Sequence, residues 1–253
     1  MTEDAIHGSK YRTILGVRFF TGTAGEAVEI GLDGGLVVVP AAPALCDLEF
    51  KRDYREALAS SDLAIADSGL MVLVWRWLTG DKLERISGLE YLRLLLERAE
   101  SRQPGAALWV MPTAAARDRN LAWLRSHGQP TAAEDCYLAP NYPDSGLEDQ
   151  ALLELVRGRR PAQIIVCLGG GTQERLGFWL KQRLDYRPGI HCTGAAIGFL
   201  SGEQINIPPW ADYWYLGWLF RSLSEPRKFL PRYWRARKLV GMMLRYREKS
   251  PGG

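Results

Sequence analysis

The stretch IIVCLGGGTQERLGFWL, residues 164–180, joins a continuous apolar run to three glycines and then to a segment of helical character. A short run that is apolar at every position is typical of a strand buried on both faces of a parallel sheet. Glycines permit a tight turn with close backbone approach, and the following helix begins near Thr172. The stretch therefore predicts a strand–turn–helix unit whose turn lies at the carboxyl end of the strand.

Similar units recur along the chain. The other predicted strands are YRTILGVRFF (11–20), GLVVVP (35–40), DLAIAD (62–67), AALWVM (106–111), EDCYLAP (134–140) and IHCTG (190–194). Helical patterns lie between them, at residues 43–60, 69–79, 88–102, 113–127, 146–158 and 173–184. This alternation predicts an α/β fold, a Rossmann-like parallel sheet with helices on both faces. In such sheets ligands bind at the carboxyl ends of the strands.

Bulk properties favour an intracellular globular protein. The chain has 253 residues, of which 47% are hydrophobic and 24% charged, which is ordinary soluble composition. It contains no run of 18 apolar residues, and its start, MTEDAIHGSK, lacks the layout of a signal peptide. The four cysteines are scattered without CxxC spacing, so we expect reduced thiols in a cytoplasmic protein and no cysteine metal site.

Charge is distributed unevenly. From Arg221 onward there are ten Lys/Arg and two Glu, a net +8, whereas the whole chain carries +3, so residues 1–220 carry −5. The basic stretch also contains Trp, Tyr, Phe and Leu, a pattern that fits a helix on an anionic membrane surface. Nucleic-acid binding and a solvated helix packed on the body by its apolar side are the alternatives. Because the pattern changes near residue 203, we predict a domain at 1–202 and an appendage at 203–253.

Asp67 stands at the seam of SDLAIADSGL, residues 61–70, directly after a predicted strand. This position places its carboxylate at the ligand edge of the sheet. Two interpretations follow: an N-cap of the next helix, since Asp is a preferred cap, or a general base. Arg85, in ERISG, is a candidate to bind a phosphate or a substrate hydroxyl, with a surface ion pair as the alternative.

The glycine turn itself carries a weak functional signal. The third glycine position of a dinucleotide fingerprint is held by Glu174, and no Gly-Lys-Ser/Thr follows for a P-loop, which disfavours a nucleotide-dependent oxidoreductase. A glycine-rich helix start still attracts anions. Thr193-Gly194 forms a similar start after the shorter strand. No His, Asp or Glu spacing indicates a metal site, and His191 is expected to be a packed or partly exposed residue and not a ligand.

Several motifs in order resemble the WecG/TagA/CpsF family of bacterial glycosyltransferases, glycosyltransferase family 26. The family motifs aDG-x-G, eRvtGsDL and lG-x-P-x-QE resemble residues 66–69, 84–90 and 168–174. Its GvG-x-x-x-d-f-x-a-G motif resembles residues 192–202. Its C-terminal raPxw, EWlyRl, ePrR and RY motifs resemble residues 206–210, 218–221, 225–227 and 232–233. The resemblance covers nearly the whole chain.

The resemblance implies an inverting, metal-independent transfer of a sugar from a UDP-sugar to a lipid-linked acceptor, without a cofactor. It implies a Rossmann-like core and a C-terminal appendage that targets the membrane. Asp67 matches the family's catalytic base and Arg85 an active-site arginine. The matches to substrate-binding positions are Gly169, Gln173, Glu174, Thr193 and Gly194, with Arg221, Arg227 and Arg232 as appendage arginines that meet the diphosphate. Expected partners are the UDP-sugar, a polyprenyl-diphosphate-linked saccharide, an anionic membrane on its cytoplasmic face and other polysaccharide synthesis enzymes, and not nucleic acid.

The sequence departs from the family pattern at several positions, two of which lie in one loop. Val39 and Ala41 align with a Thr and an Asn of the family, so two hydrogen-bonding side chains become apolar. Gly171 replaces a proline and Gly217 a glutamate. These changes predict either a different donor sugar or an inactive homologue that serves as a membrane-bound subunit of a polysaccharide synthesis complex.

Overall fold

The computed structural model describes residues 10–81, 83–202, 223 and 226–252, except the side chains of residues 228, 229, 232 and 233. Its centre is an eight-stranded sheet in the order β1-β2-β4-β3-β8-β7-β5-β6. The strands are β1 Tyr11–Ile14, β2 Val17–Phe20, β3 Gly35–Val38, β4 Leu63–Ile65, β5 Ala107–Met111, β6 Cys136–Leu138, β7 Gln163–Val166 and β8 Gly189–Cys192. Only the β1–β2 pair is antiparallel, so the predicted α/β, Rossmann-like fold is confirmed.

Helices connect the strands. They are α1 Ala24–Leu32, α2 Ala42–Leu45, α3 Arg52–Ala59, α4 Gly69–Thr79, α5 Gly88–Glu97, α6 Ala114–Ser126, α7 Gln150–Arg159, α8 Thr172–Arg183, α9 Ala196–Leu200, α10 Pro226–Ala236 and α11 Lys238–Tyr246. Short 3₁₀ helices follow α2 and α5. In the described part of the chain, no helix is long and apolar enough to cross a bilayer.

Two apolar cores flank the sheet because its central strands bury both faces. Along β3, Leu36 and Val38 point into the first core, whereas Val37 and Val39 point into the second. The first core packs against α3, α4, α7, α8, α10 and α11, and the second against α1, α5, α6 and α9. This two-sided burial explains the uninterrupted apolar runs of the sequence.

The first predicted strand, residues 11–20, is in fact two strands. Leu15 and Gly16 both have positive φ, 53° and 78°, and they turn the chain into the β1–β2 hairpin. Two residues with positive φ define the tight turn whose twist suits a hairpin. The sequence lacks the usual Asn-Gly or Gly-Gly pair at this point, so the turn escaped prediction.

Helix α1 was not predicted, and the window 43–60 is not one helix. Thr23 and Glu26 form a reciprocal capping box at the start of α1, with Thr23 N donating to Glu26 Oε2 over 2.8 Å. The window 43–60 breaks at the exposed Phe50 because its halves pack in different directions. Helix α2 contacts α4 and α10, whereas α3 contacts α8.

The two C-terminal helices pack on the sheet domain. Helix α10 contacts α2, α11 contacts α4, and Leu239, Met242 and Met243 are buried in the first core. Beyond α11 the chain reaches the hairpin, where Leu15 N donates to Arg247 O over 2.7 Å and Gly16 N to Glu248 O over 3.0 Å. The division into residues 1–202 and 203–253 stays a prediction.

Candidate active site

Asp67 lies at the carboxyl edge of the sheet, two residues beyond β4. Its side chain is 27% exposed, and its Oδ1 accepts a hydrogen bond from Gly88 N, the first residue of α5, over 3.2 Å. It does not cap α4: Ser68 does so, its Oγ accepting from Met71 N over 3.2 Å. The cap interpretation of Asp67 is therefore wrong for α4. Its carboxylate instead fixes the start of α5 against the end of β4.

Arg85 holds Asp67 from a second side. Its Nε donates to the Asp67 carbonyl oxygen over 2.8 Å, and its Nη2 lies 3.6 Å from Asp67 Oδ1. The hydrogen bond from Gly88 and the shortest ion-pair contact both involve Oδ1. Arg85 therefore contacts both the backbone and the side chain of Asp67. The two residues that the sequence paired as catalytic candidates are thus in direct contact.

The loop after β3, in which Val39 and Ala41 depart from the family pattern, lies beside Asp67 and Arg85. Val39 is buried, and a Cβ built on Gly88 would lie 3.1 Å from Val39 Cγ1 and 3.8 Å from Thr193 O. Because Gly88 N donates to Asp67 Oδ1, only Gly88 separates the apolar Val39 from the carboxylate. The ends of β3, β4 and β8 and the start of α5 therefore meet at one place.

The glycine turn lies on the same edge and leads into α8. Gly171 has a φ of +91°, which a side chain would strain, while a Cβ on Gly170 would lie 3.1 Å from Ala44 Cβ of α2. Gly169 and Gly170 are exposed. The turn thus forms an open rim between α2 and α8.

The amides at the start of α8 already have partners. Gly171 N donates to Glu174 Oε2 over 2.6 Å, and Thr172 N and Gln173 N both donate to Gly169 O over 3.2 Å. The Glu174 carboxyl is fully buried, and burial raises its pKa. A carboxyl group of this chain therefore occupies the place at which the sequence suggested an external anion, and these three amides are not available to a phosphate.

Gln173 and Thr193 leave buried polar atoms without a partner. Gln173 Nε2 donates to Glu174 Oε1 over 3.1 Å, but among the described residues Gln173 Oε1 and Thr193 Oγ1 have no hydrogen-bond partner. A Cβ on Gly194, whose φ is +61°, would lie 3.5 Å from Gln173 Oε1 and 3.4 Å from Leu168 O. Since unpaired buried polar atoms are costly, their presence together at the ligand edge indicates a ligand or a bound water.

A functional role for Arg175 was not predicted from the sequence. It is buried; its Nε donates to Gly171 O over 3.0 Å, and its Nη1 to Asp53 Oδ2 over 2.9 Å and Asp144 O over 2.7 Å. These bonds join the glycine turn to α3 and to the loop before α7. Its position in the sequence could have indicated a special role. Arg175 lies near the start of a helix, where a positive charge is unfavourable unless a neighbouring group compensates it.

His191 is buried inside β8 and belongs to a structural network, as the sequence suggested. Its Nδ1 lies 2.8 Å from Tyr91 Oη, and its Nε2 lies 2.7 Å from Gln163 Oε1. Burial lowers its pKa to about 3. With Tyr91 donating to Nδ1 and Nε2 donating to Gln163, the neutral ring satisfies both contacts. Within the described residues, no group of three His, Cys, Asp or Glu side chains is placed to hold a metal ion.

This burial predicts acid sensitivity. Because the folded pKa of His191 is about 3 and the ordinary value is 6.5, the unfolded chain binds more protons between these pH values. The contribution of neutral His191 to the free energy of unfolding is fully present above pH 6.5. It is lost as pH falls toward 3, by up to about 1.4 kcal/mol per pH unit. Urea unfolding at stepped pH should show this slope. It should be shallower in His191→Gln and unchanged in the exposed control His127→Gln; equal slopes for all three proteins would contradict the prediction.

The appendage arginines are only partly described. Arg227 is exposed on α10, Arg232 lies in α10 with its side chain outside the described atoms, and Arg221 lies outside the described residues. Helix α10 packs on α2, which borders the glycine turn. No described contact joins Arg227 to Asp67 or Arg85, so the meeting of these arginines with a diphosphate stays a prediction.

Fold and site together define an α/β protein of the Rossmann-like class with a carboxylate, an arginine and unpaired polar groups at its ligand edge. The chain matches the sequence model of the Glycosyl transferase WecG/TagA/CpsF family over residues 12–251 and belongs to that family. It is therefore a glycosyltransferase-family protein, of the kind that acts on cell-envelope polysaccharides. A search of curated proteins gave no match.

Proposed function

We propose that the protein transfers a sugar from a UDP-sugar to a polyprenyl-diphosphate-linked saccharide, with inversion and without a metal ion, in cell-envelope or exopolysaccharide synthesis. The observation that supports this most is Asp67, a part-exposed carboxylate held by Gly88 and Arg85 at the carboxyl edge of the sheet. Membership of a glycosyltransferase family supplies the reaction class.

Asp67 acts as the general base. Its Oδ2 takes the proton of the acceptor hydroxyl as that oxygen forms a bond to the anomeric carbon. The bond from the anomeric carbon to the diphosphate oxygen breaks on the opposite face, and UDP leaves. Arg85 touches the base through Oδ1 and the carbonyl oxygen, so it fixes the direction of the carboxylate and adds positive charge close to the reacting atoms.

The leaving diphosphate requires cations, because the amides at the start of α8 are in use. Arginine suits this task since its planar fork binds phosphate oxygens in pairs. Arg85 together with Arg221, Arg227 and Arg232 supplies that charge. The last three follow from the family resemblance and from the contact of α10 with α2, which borders the site.

Gln173 and Thr193 bind an uncharged part of the donor. Gln173 Oε1 can only accept a hydrogen bond, so it selects a hydroxyl or an imide N–H and repels phosphate. Glu174 fixes the orientation of the Gln173 amide by accepting from Gln173 Nε2, which leaves Oε1 as the unpaired atom. We therefore assign Glu174 as a positioning residue and Gln173, Thr193, Gly169 and Gly194 as the surface that meets the ribose or the base.

Thr193→Val tests this assignment. Removing the unpaired buried hydroxyl should leave the free protein equally stable or more stable by about 1 kcal/mol, whereas the Kd for UDP should rise about tenfold. Calorimetric titration and urea unfolding measure the two effects. The control Thr13→Val, on the edge hairpin, should change neither quantity; loss of stability with unchanged UDP binding would refute the assignment.

We also propose that the basic C-terminal stretch docks on the anionic cytoplasmic face of the membrane, where the lipid-linked acceptor lies. Each basic residue near such a surface contributes about 1 kcal/mol. Helices α10 and α11 contain Arg and Lys but no Asp or Glu, which suits this role. The protein is then cytoplasmic and peripheral, and does not bind nucleic acid.

A second candidate function is a catalytically altered subunit that binds other polysaccharide synthesis enzymes. The buried, apolar Val39 beside Gly88 favours it, because a hydrogen-bonding group is missing there. The active transferase and the altered subunit are distinguished by measuring the release of UDP from a panel of UDP-sugars with a lipid-linked acceptor present. Turnover with any donor supports the transferase; a folded protein that is inactive with every donor yet binds a partner transferase overturns it.

A further inference from the structure

Most large apolar side chains that the structure exposes belong to neighbouring segments. Of the eight exposed ones, Phe50, Leu73, Trp77, Leu230, Trp234 and Leu244 come from the segment after α2 and from α4, α10 and α11. These elements contact one another in the pairs α2–α4, α2–α10, α4–α11 and α10–α11. The remaining two are Leu138, on the opposite edge strand β6, and Leu223. Exposed apolar groups concentrated in this way mark an interaction surface.

Helix α4 contributes to this surface although it is part of the sheet domain. Met71, Val72 and Trp75 are buried beneath it, whereas Leu73 is 49% and Trp77 75% exposed. Leu73, Arg76 and Trp77 stand at positions i, i+3 and i+4, so they share one outward face of the helix. An aliphatic, a basic and an indole side chain together are the set that settles at a membrane interface.

The charge of the surface identifies its occupant. Helices α4, α10 and α11 together hold seven Lys/Arg and no Asp or Glu, and one of the seven, Arg235, is paired with Asp47 of the segment after α2. Arg237, which lies between α10 and α11, is positioned over the ring of Trp234 of α10 at 3.7 Å, so a basic and an aromatic group are presented together. An anionic bilayer complements both the charge and the exposed indole and leucine groups.

We propose that the outward face of α4, through Leu73 and Trp77, inserts into the interface of an anionic membrane beside α10 and α11. This rests on the proposed function, which supplies a lipid-linked acceptor. Helix α4 begins two residues after Asp67, and Trp77 lies about 12 Å along the helix from its first residue, Gly69. Insertion of α4 therefore holds the sheet domain itself, and with it Asp67, beside the lipid surface in which the acceptor lies.

The test is co-sedimentation of the full chain with vesicles of phosphatidylcholine containing phosphatidylglycerol, and with vesicles of phosphatidylcholine alone. The double variant Leu73→Ser/Trp77→Ser should lower the partition coefficient for the anionic vesicles at least tenfold. The matched control Leu138→Ser removes an exposed leucine from the far edge of the sheet and should bind as the unmodified protein does. Because the substituted side chains are partly or largely exposed, both variants should still fold and show a cooperative thermal transition, which is measured beside vesicle binding.

Three results would overturn the proposal. The double variant could bind anionic vesicles as tightly as the unmodified protein does, which leaves the appendage as the sole anchor. The double variant could dissociate a dimer seen without lipid while vesicle binding stays the same, which makes α4 a contact between copies. Absence of vesicle binding by the unmodified protein would overturn every membrane claim. The transferase proposal is judged separately, by turnover of a short-chain soluble acceptor, which the double variant should retain.

Discussion

Replacement of Asp67 by Asn is expected to lower the rate of sugar transfer by about 10²–10⁴, the range that a general base contributes. The amide cannot take the acceptor proton, yet its Oδ1 can still accept from Gly88 N, as the carboxylate does over 3.2 Å. The start of α5 therefore keeps its anchor, and the fold should survive. The measurement is UDP release under saturating donor, with UDP affinity determined separately by calorimetry.

The control for this variant is Asp33→Asn, which makes the same chemical change at an exposed position after α1. It should leave the rate unaltered. Retention of full transfer activity by Asp67→Asn would assign the base elsewhere. If Asp67→Asn instead lost UDP affinity in proportion to its rate, Asp67 would be a binding group rather than the base.

Gly31→Ala should destabilise the protein strongly. A Cβ at this position of α1 would lie 2.2 Å from Tyr91 Oη, 3.2 Å from His191 Cε1 and 3.3 Å from Val37 Cγ2. Tyr91 cannot retreat without breaking its 2.8 Å contact with His191, so overpacking and a lost buried hydrogen bond act together. We expect a loss of about 2–5 kcal/mol in the free energy of unfolding, measured in urea.

Helix α1 supplies a matched control in Gly25→Ala, since no atom lies within 4 Å of a Cβ there. Alanine is the better helix former, so this variant should gain up to about 1 kcal/mol. The two substitutions are chemically identical and lie in one helix, so opposite signs isolate the contact with the buried Tyr91–His191–Gln163 network. Equal effects of the two substitutions on the free energy of unfolding would show that the network rearranges around the new methyl group and contributes little stability.

The sequence predicted the sheet well because strands buried on both faces leave a simple signal. The runs that contain Val37, Ile65, Val110 and Ile165 are uninterrupted, and each became a parallel strand. Helix α1 left a poor signal: Gly25 and Gly31 weaken its helical pattern, and Gly31 is required by a tyrosine sixty residues away. A contact between residues so far apart in sequence depends on the whole fold and cannot be predicted from the local sequence.

The sequence selected side chains that the structure brings together, but it did not predict the contacts around them, and the roles of these residues stay predictions. Asp67 and Arg85 were chosen together and do touch. The glycine turn suggested an anion site, but Glu174 folds back on Gly171 N and fills it, which depends on a side-chain rotamer. Arg175 was overlooked because its partners, Asp53 and Asp144, are remote in sequence.

The bond between the β1–β2 hairpin and the segment after α11 has a consequence for folding during synthesis. Leu15 and Arg247, which this bond joins, are separated by most of the chain. At ordinary translation rates the hairpin waits roughly 10–50 s for the segment that completes it. Throughout that interval the turn of the hairpin lacks these two partners, Arg247 and Glu248. We expect the hairpin of ribosome-bound chains to be sensitive to proteases and dependent on chaperones, and to become resistant only when residues 247 and 248 are free to reach it.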